Sequence, residues 1–252
     1  MGAIVLIYGI HPVIEALRAG RVAKLRVSDR DDRRLAEVLQ VARDRGVPVE
    51  QVTREVLTHS SGRGLHQGVV AELTPTHALG VGDLVASGPG PALVVVLDGV
   101  EDPHNVGAIL RTCDAAGVHG VVRQTRRSAP LDGAAAKASA GAVAYVRVAD
   151  VVNIARAVDE LKKAGVWTVG LAGDAPHRYD EVDYRVPTAF VLGAEGTGLR
   201  RLVREQCDWL VRIPMAGHVE SLNVSVAAGV VLFEAVRQRA GTPAGVDREA
   251  RG

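Results

Sequence analysis

Three stretches of this 252-residue chain hold residues whose types and spacing could do chemistry. The most informative is Phe190-Val191-Leu192-Gly193-Ala194-Glu195-Gly196-Thr197-Gly198-Leu199, an apolar run feeding a loop with three glycines and one carboxylate. The pattern predicts a buried strand that ends where the backbone becomes bare enough for a ligand to lie against it. Glu195, set among small residues, could orient a ligand amine or hydroxyl, or could face water on a tight turn. The spacing G-x-x-G-x-G and the late position depart from the dinucleotide fingerprint G-x-G-x-x-G, which argues against a nicotinamide-dependent oxidoreductase.

The second stretch runs from Leu97 to Cys113. Asp102 before Pro103 has the chemistry of a helix N-cap followed by proline at the first helical position. Val106, Ile109, Leu110 and Cys113 form the expected buried stripe. Arg111 lies off it, and one turn earlier Gly107 and Ala108 leave bare helix surface. That surface could admit a phosphate or sugar; equally, Arg111 could be a surface residue above a close helix contact. The third stretch, Val211 to Gly229, predicts a helix starting at Glu220 or Ser221 with Leu222, Val226, Gly229, Val230 and Phe233 on one face. Its small residues Ser225, Ala227, Ala228 and Gly229 allow close packing. Asn223, in the first turn, then needs a hydrogen-bond partner.

The elements that must position these loops are legible from periodicity. Residues 92–240 alternate continuous apolar strands (Leu93–Leu97, Gly120–Val122, Val143–Val148, Val166–Leu171, Ala189–Leu192, Leu210–Ile213) with helical patterns. That is the signature of an α/β domain with a mostly parallel sheet covered on both faces. Ligands in such sheets bind at the carboxyl ends of the strands, where all three stretches lie. Residues 1–75 read as a smaller α/β domain. Its clearest element is an amphipathic helix over 31–45 with Leu35, Val38, Leu39 and Ala42 inward and Asp31 and Asp32 at its start. Residues 76–91, with four glycines and Pro89 and Pro91, read as a linker, and 241–252 as a flexible tail.

Composition narrows the partners. The chain is 47% hydrophobic but only 3% aromatic, so its core must be aliphatic. A net charge of +1 makes no electrostatic case for nucleic acid. Arginine greatly outnumbers the four lysines, which suits phosphate recognition but also fits a GC-rich genome. No apolar run approaches the ~20 residues of a membrane span, and no signal-peptide pattern opens the chain. The two cysteines, Cys113 and Cys207, form no C-x-x-C pair, as expected of buried thiols in a reducing cytoplasm. No histidine or cysteine spacing suits zinc, so no metal is expected.

Taken together, Asn105 to Thr112, Leu192 to Leu199 and Ile213 to Ala227 resemble, in order, the three motifs of the SpoU/TrmH family of RNA 2′-O-ribose methyltransferases in the SPOUT superfamily. Tyr8 to Leu17 and His66 to Ala71 are similar to the L30e-like, RNA substrate-binding domain of its RlmB-type subgroup, which methylates a guanosine in 23S ribosomal RNA. The resemblance implies a trefoil knot in the C-terminal domain, a homodimer and S-adenosylmethionine as cofactor. It implies that Gly193, Ile213 and Leu222 contact the cofactor, with Met215 a neighbour. It gives Arg111 the ribose 2′-hydroxyl and adjoining phosphate, and has Asn105, Glu195, Ser221 and Asn223 hold the catalytic geometry. Relatives acting on transfer RNA or on a ribosomal RNA adenosine, of the thiostrepton-resistance type, are the nearest alternatives. The chain departs from the family pattern at Ala144, where many members are acidic, and at Arg147, where many carry proline.

Overall fold

The computed structural model describes residues 5–28, 33–62, 64–75, 77–126 and 128–241. The sequence-predicted caps Asp31 and Asp32 and the tail from 242 lie outside them. The first unit comprises β1 (Leu6–Tyr8), α1 (Ile10–Arg18), β2 (Val22–Val27), α2 (Arg33–Asp44), β3 (Val49–Gln51), α3 (Arg54–Ser60) and β4 (Val69–Leu73). Its sheet has the order β1-β4-β2-β3, with β4 antiparallel to both neighbours and β2 parallel to β3. Leu35, Val38 and Ala42 of α2 are buried, as their spacing requires.

The second unit contains α4 (Val81–Val85), β5 (Leu93–Asp98), α5 (Pro103–Ala115), β6 (Gly120–Gln124), α6 (Gly133–Ala138), a 3₁₀ turn at Ala142–Ala144, β7 (Val148–Val151), α7 (Ile154–Lys163), β8 (Trp167–Leu171), β9 (His177–Arg178), β10 (Thr188–Gly193), α8 (Arg201–Gln206), β11 (Trp209–Arg212) and α9 (Val224–Arg239). Its sheet has the order β7-β6-β5-β10-β8-β11-β9, and every adjacent pair is parallel. Successive residues of the central strands serve opposite faces. Val95, Leu97, Phe190 and Leu192 join Ile109, Leu110, Val231 and Leu232 of α5 and α9. Val94, Val96, Ala189 and Val191 join Leu84, Val158, Leu161 and Val203 of α4, α7 and α8. Because β10 slots in beside β5, with Gly193 opposite Asp98, the loops that follow these two strands emerge side by side.

Four sequence expectations change. The stretch read as a linker holds α4, whose Val81 and Leu84 pack into the second core; two apolar positions one turn apart were too short a pattern to register. The strand expected over Val143–Val148 is a 3₁₀ turn followed by β7. Ala140 and Gly141 adopt left-handed φ values of 51° and 93°, which turn the chain so that Ala142, Val143 and Ala144 are buried rather than paired. Helix α9 begins only at Val224, with Asn223 as its N-cap rather than in its first turn. Its buried face is Val224, Ala228, Val231, Leu232 and Ala235, while Val226 and Phe233 are each 51% exposed. This helix is apolar almost all round, so periodicity could not choose its inner face.

The two units meet through α1, β1, α6 and the 3₁₀ turn. The Tyr8 ring lies against two glycines: a Cβ on Gly133 would sit 2.1 Å from its Cε1, and one on Gly64 2.2 Å from its hydroxyl. The Tyr145 hydroxyl donates to Glu15, 3.0 Å from its carboxylate and 3.1 Å from its backbone oxygen.

Candidate active site

The carboxyl ends of β8, β10 and β11, with the segment leading into α9, enclose a cavity of about 360 Å³. Gly193, Glu195, Ile213, Met215, Ser221 and Leu222 all line it, so the structure brings six of the nine sequence-predicted site residues to one pocket. Asn105 and Asn223 stand directly behind Glu195, and Arg111 stands apart.

Gly193 is glycine because of a close approach, not an unusual φ. A Cβ there would fall 2.2 Å from the backbone carbon of Gly198 and 2.4 Å from Leu199 N. The loop folds back on itself: Gly198 N donates to Ala194 O at 2.9 Å, and Gly196 and Gly198 take left-handed φ values of 78° and 66°. The G-x-x-G-x-G spacing is therefore the specification of a tight turn whose backbone forms a pocket wall. Its far end is anchored by Asp98, a buried carboxylate at the end of β5. The Asp98 oxygens accept from Arg200 N at 2.8 Å and Nε at 2.6 Å, and also pair with Nη2. Sequence reasoning passed over this pair; the available signal was a carboxylate closing a run of continuous apolar residues.

Asn223 is the hub of the site. Its Oδ1 accepts from Ser225 N (2.9 Å) and Oγ (2.6 Å), capping α9. That fixes the amide orientation, so Nδ2 must face the other way. It donates to Asn105 Oδ1 at 2.9 Å and to Glu195 Oε1 at 2.6 Å. One amide thus ties the buried Asn105 of α5, the glycine loop and the start of α9 into one unit. Asn223 itself is exposed, so these bonds follow from its place as the α9 cap and not from the burial that the sequence argument assumed. Asp102 caps α5 as expected, accepting from His104 N at 2.9 Å, which sets the helix start from which Asn105 projects.

Arg111, further along α5, is exposed and does not line the cavity. The bare surface expected one turn before it is covered: α6 packs there so closely that a Cβ on Gly107 would meet Ala135 O and Ala138 Cβ at 2.5 Å. Gly107 serves helix contact rather than admitting a phosphate, and Arg111 emerges into solvent beside that contact.

The cavity also holds a charged pair absent from the sequence expectations. Arg204 of α8 meets Asp174, in the loop after β8, at two N–O distances of 3.0 Å. Hydrogen bonding from Arg204 holds the Asp174 carboxyl below its usual range. Both cysteines are free: Cys113 is buried, and Cys207 is partly buried with its thiol pushed up to about 12, chiefly by burial. Among the described residues no cluster of histidine, cysteine and carboxylate groups could hold a metal, and no helix is long and apolar enough to cross a membrane.

The profile of the SpoU rRNA methylase family matches residues 92–233, more than half the chain. This chain belongs to the SpoU rRNA methylase family. A second profile, for RNA 2′-O ribose methyltransferase substrate binding, covers residues 6–78. The chain is 46% identical over 243 residues to the 23S rRNA (guanosine-2′-O-)-methyltransferase RlmB of Ralstonia nicotianae, spanning 95% of this chain and 98% of that protein. It is 44% identical to the protein of the same name from Pseudomonas aeruginosa, over 92% of this chain and 96% of that one. Among solved structures, the SpoU methyltransferase AviRb of Streptomyces viridochromogenes in complex with the cofactor AdoMet superposes with a TM-score of 0.77 at 27% identity, covering 94% and 91% of the two chains. The AdoMet-bound rRNA methyltransferase of Sinorhizobium meliloti gives a TM-score of 0.77 at 28% identity, covering 93% and 87%. In this SpoU chain, residues of Leu192–Leu199 and Ile213–Ala227 line one cavity, and Asn105 of the first stretch joins the hydrogen-bonded network beside Glu195.

Proposed function

We propose that this chain transfers a methyl group from S-adenosylmethionine to the 2′-hydroxyl of a guanosine in 23S ribosomal RNA. The observation that carries this reading is the convergence of Gly193, Glu195, Ile213 and Leu222 on one cavity, with Asn223 binding Glu195 and Asn105 behind it. The relatives at 44–46% identity, which match nearly full length and bear that activity in their names, supply the substrate.

The cavity suits the cofactor. Its volume falls within the ~300–1,000 Å³ of small-molecule sites. One wall is peptide backbone at Gly193, where no side chain fits; Ile213 and Leu222 supply apolar surface. When bound, S-adenosylmethionine supplies a methyl carbon activated by its sulfonium sulfur. The chain's part is to orient and to stabilise charge. Glu195, held by Asn223, presents a fixed carboxylate to the cavity, and Ser221 lines the same cavity. Arg111 offers only donors and no acceptor, so it serves as a cation and not as the base. It grips an RNA phosphate and stabilises the developing alkoxide electrostatically, while the proton leaves to a phosphate oxygen or water. Much of the rate then comes from aligning hydroxyl and methyl group.

The finer architecture belongs to the same reading. The segments 193–200 and 213–223 that wrap one cavity are the parts that would form the trefoil knot. The exposed apolar stripe of Val219, Leu222, Val226 and Phe233 supports a homodimer packed on α9. The N-terminal unit is the L30e-like module that takes the RNA, and an RNA substrate places the protein in the cytoplasm. The deciding experiment is methylation of 23S ribosomal RNA with labelled cofactor and mapping of the modified ribose. Modification of a guanosine 2′-oxygen upholds the reading; modification only of transfer RNA or of an adenosine overturns it.

A further inference from the structure

The cavity carries five acidic or basic side chains: Asp174, Glu195, Arg204, Arg212 and Glu220. Glu195 is engaged by Asn223, and Arg212 Nη1 by the backbone oxygens of Ala175 and Pro176. The scheme for methyl transfer leaves the Asp174–Arg204 pair without a task.

We propose that Asp174 and Arg204 receive the amino-acid end of the cofactor, Arg204 binding its α-carboxylate and Asp174 its α-ammonium. This rests on S-adenosylmethionine being the cofactor. The two side chains come from different elements, the loop after β8 and helix α8, and both line the cavity. They are 71% and 37% exposed, so their mutual contact is solvated and worth little, and a ligand can replace it. With opposite charges side by side at neutral pH, the pair complements a zwitterion, in which each ligand charge finds its opposite. The guanidinium fork matches a carboxylate with two parallel hydrogen bonds. A ribose diol would need only the acceptor, and adenine would need neither full charge.

The test is calorimetry on the full-length protein with two ligands, S-adenosylhomocysteine and 5′-methylthioadenosine. The second keeps adenine, ribose and thioether but lacks the amino acid. Arg204→Gln and Asp174→Asn should each weaken S-adenosylhomocysteine by about tenfold or more, the loss of a charge-assisted hydrogen bond. Binding of 5′-methylthioadenosine and the melting temperature should stay at the wild-type values. Equal weakening of both ligands would overturn the proposal, because the pair would then serve the nucleoside or the loop fold. No weakening of either would overturn it as well, leaving a surface ion pair only. Failure of the wild-type protein to bind either ligand would remove the cofactor reading itself, a result distinct from both.

Discussion

Replacing Gly193 with alanine is the sharpest test of the backbone-walled cavity. The new methyl group would lie 2.2 Å from the Gly198 carbonyl carbon, and ordinary contact begins at 3.4 Å. The obstacle is backbone, so no side chain can swing away, and the loop must retreat by about 1.2 Å; displacements of ~1 Å at a reacting centre cost on the order of 100-fold in rate. The same movement would stretch the 2.6 Å bond from Asn223 to Glu195 beyond hydrogen-bonding range and shift the backbone wall of the cavity. Overpacking of this kind costs about 1–3 kcal/mol, below the ~5–15 kcal/mol that holds a domain together. Gly193→Ala should therefore stay folded, with a lower melting temperature, while single-turnover methylation of a 23S ribosomal RNA fragment falls by about two orders of magnitude and S-adenosylhomocysteine binding weakens in calorimetry. A variant that methylates within about threefold of wild type with unchanged ligand affinity would refute the close-approach argument, since a loop able to yield that freely is no rigid wall.

Other outcomes follow from the same geometry. Arg111→Lys keeps the charge but loses the guanidinium fork, so methylation should drop by about tenfold or more with cofactor affinity and melting temperature unchanged; a near-wild-type rate would remove Arg111 from the reaction. Asn223→Ala deletes the α9 cap, costing about 1 kcal/mol in thermal unfolding, and should lose far more activity than Ser225→Ala, which spares the bond to Glu195. Asp98→Asn leaves Arg200 without its buried counter-charge and should destabilise the fold by about 1–3 kcal/mol in denaturant titration. Gly133→Val has no room beside the Tyr8 ring; the N-terminal unit should swing away, seen as a larger radius of gyration in X-ray scattering, with RNA methylation reduced and S-adenosylhomocysteine binding intact. Cys207, its thiol pushed up to about 12, should resist iodoacetamide at pH 8 in the folded protein and react on unfolding, as read by mass spectrometry.

Much of the architecture was legible because its signals are local. Continuous apolar runs at Leu93–Leu97 and Ala189–Leu192, too short for buried helices, read as strands buried on both faces, and their alternation with helical patterns pointed to a parallel sheet. Asp102 and Pro103 announced the start of α5, and the stripe Val106, Ile109, Leu110 and Cys113 is buried as spaced. The failures came where local signals were balanced or short. Helix α9 offers apolar residues on every side, and only the positions of α5 and β10 decide that Val231 turns inward and Phe233 outward. Residues 143–148 have strand-like composition, but the left-handed turn at Ala140 and Gly141 delivers Ala142–Ala144 to α5. Helix α4 is too brief for any periodicity to reveal.

The candidate site divides along the same line. The chain alone marked three stretches as candidates for the chemistry and specified a glycine loop that brings backbone to a surface, since these follow from residue type and spacing. Only the tertiary structure decided who the partners are. Asn105 and Asn223 are 118 residues apart and meet because α5 and α9 share one face of the sheet. Asp98 and Arg200, 102 residues apart, meet because β10 inserts beside β5. Asp174 and Arg204 face each other because β8 neighbours β10 on its far side and α8 follows β10. Hydrogen bonds and charges act over a few ångströms of space and are blind to distance along the chain, so the crossing order of the strands, which no single segment encodes, selects which residues become one site.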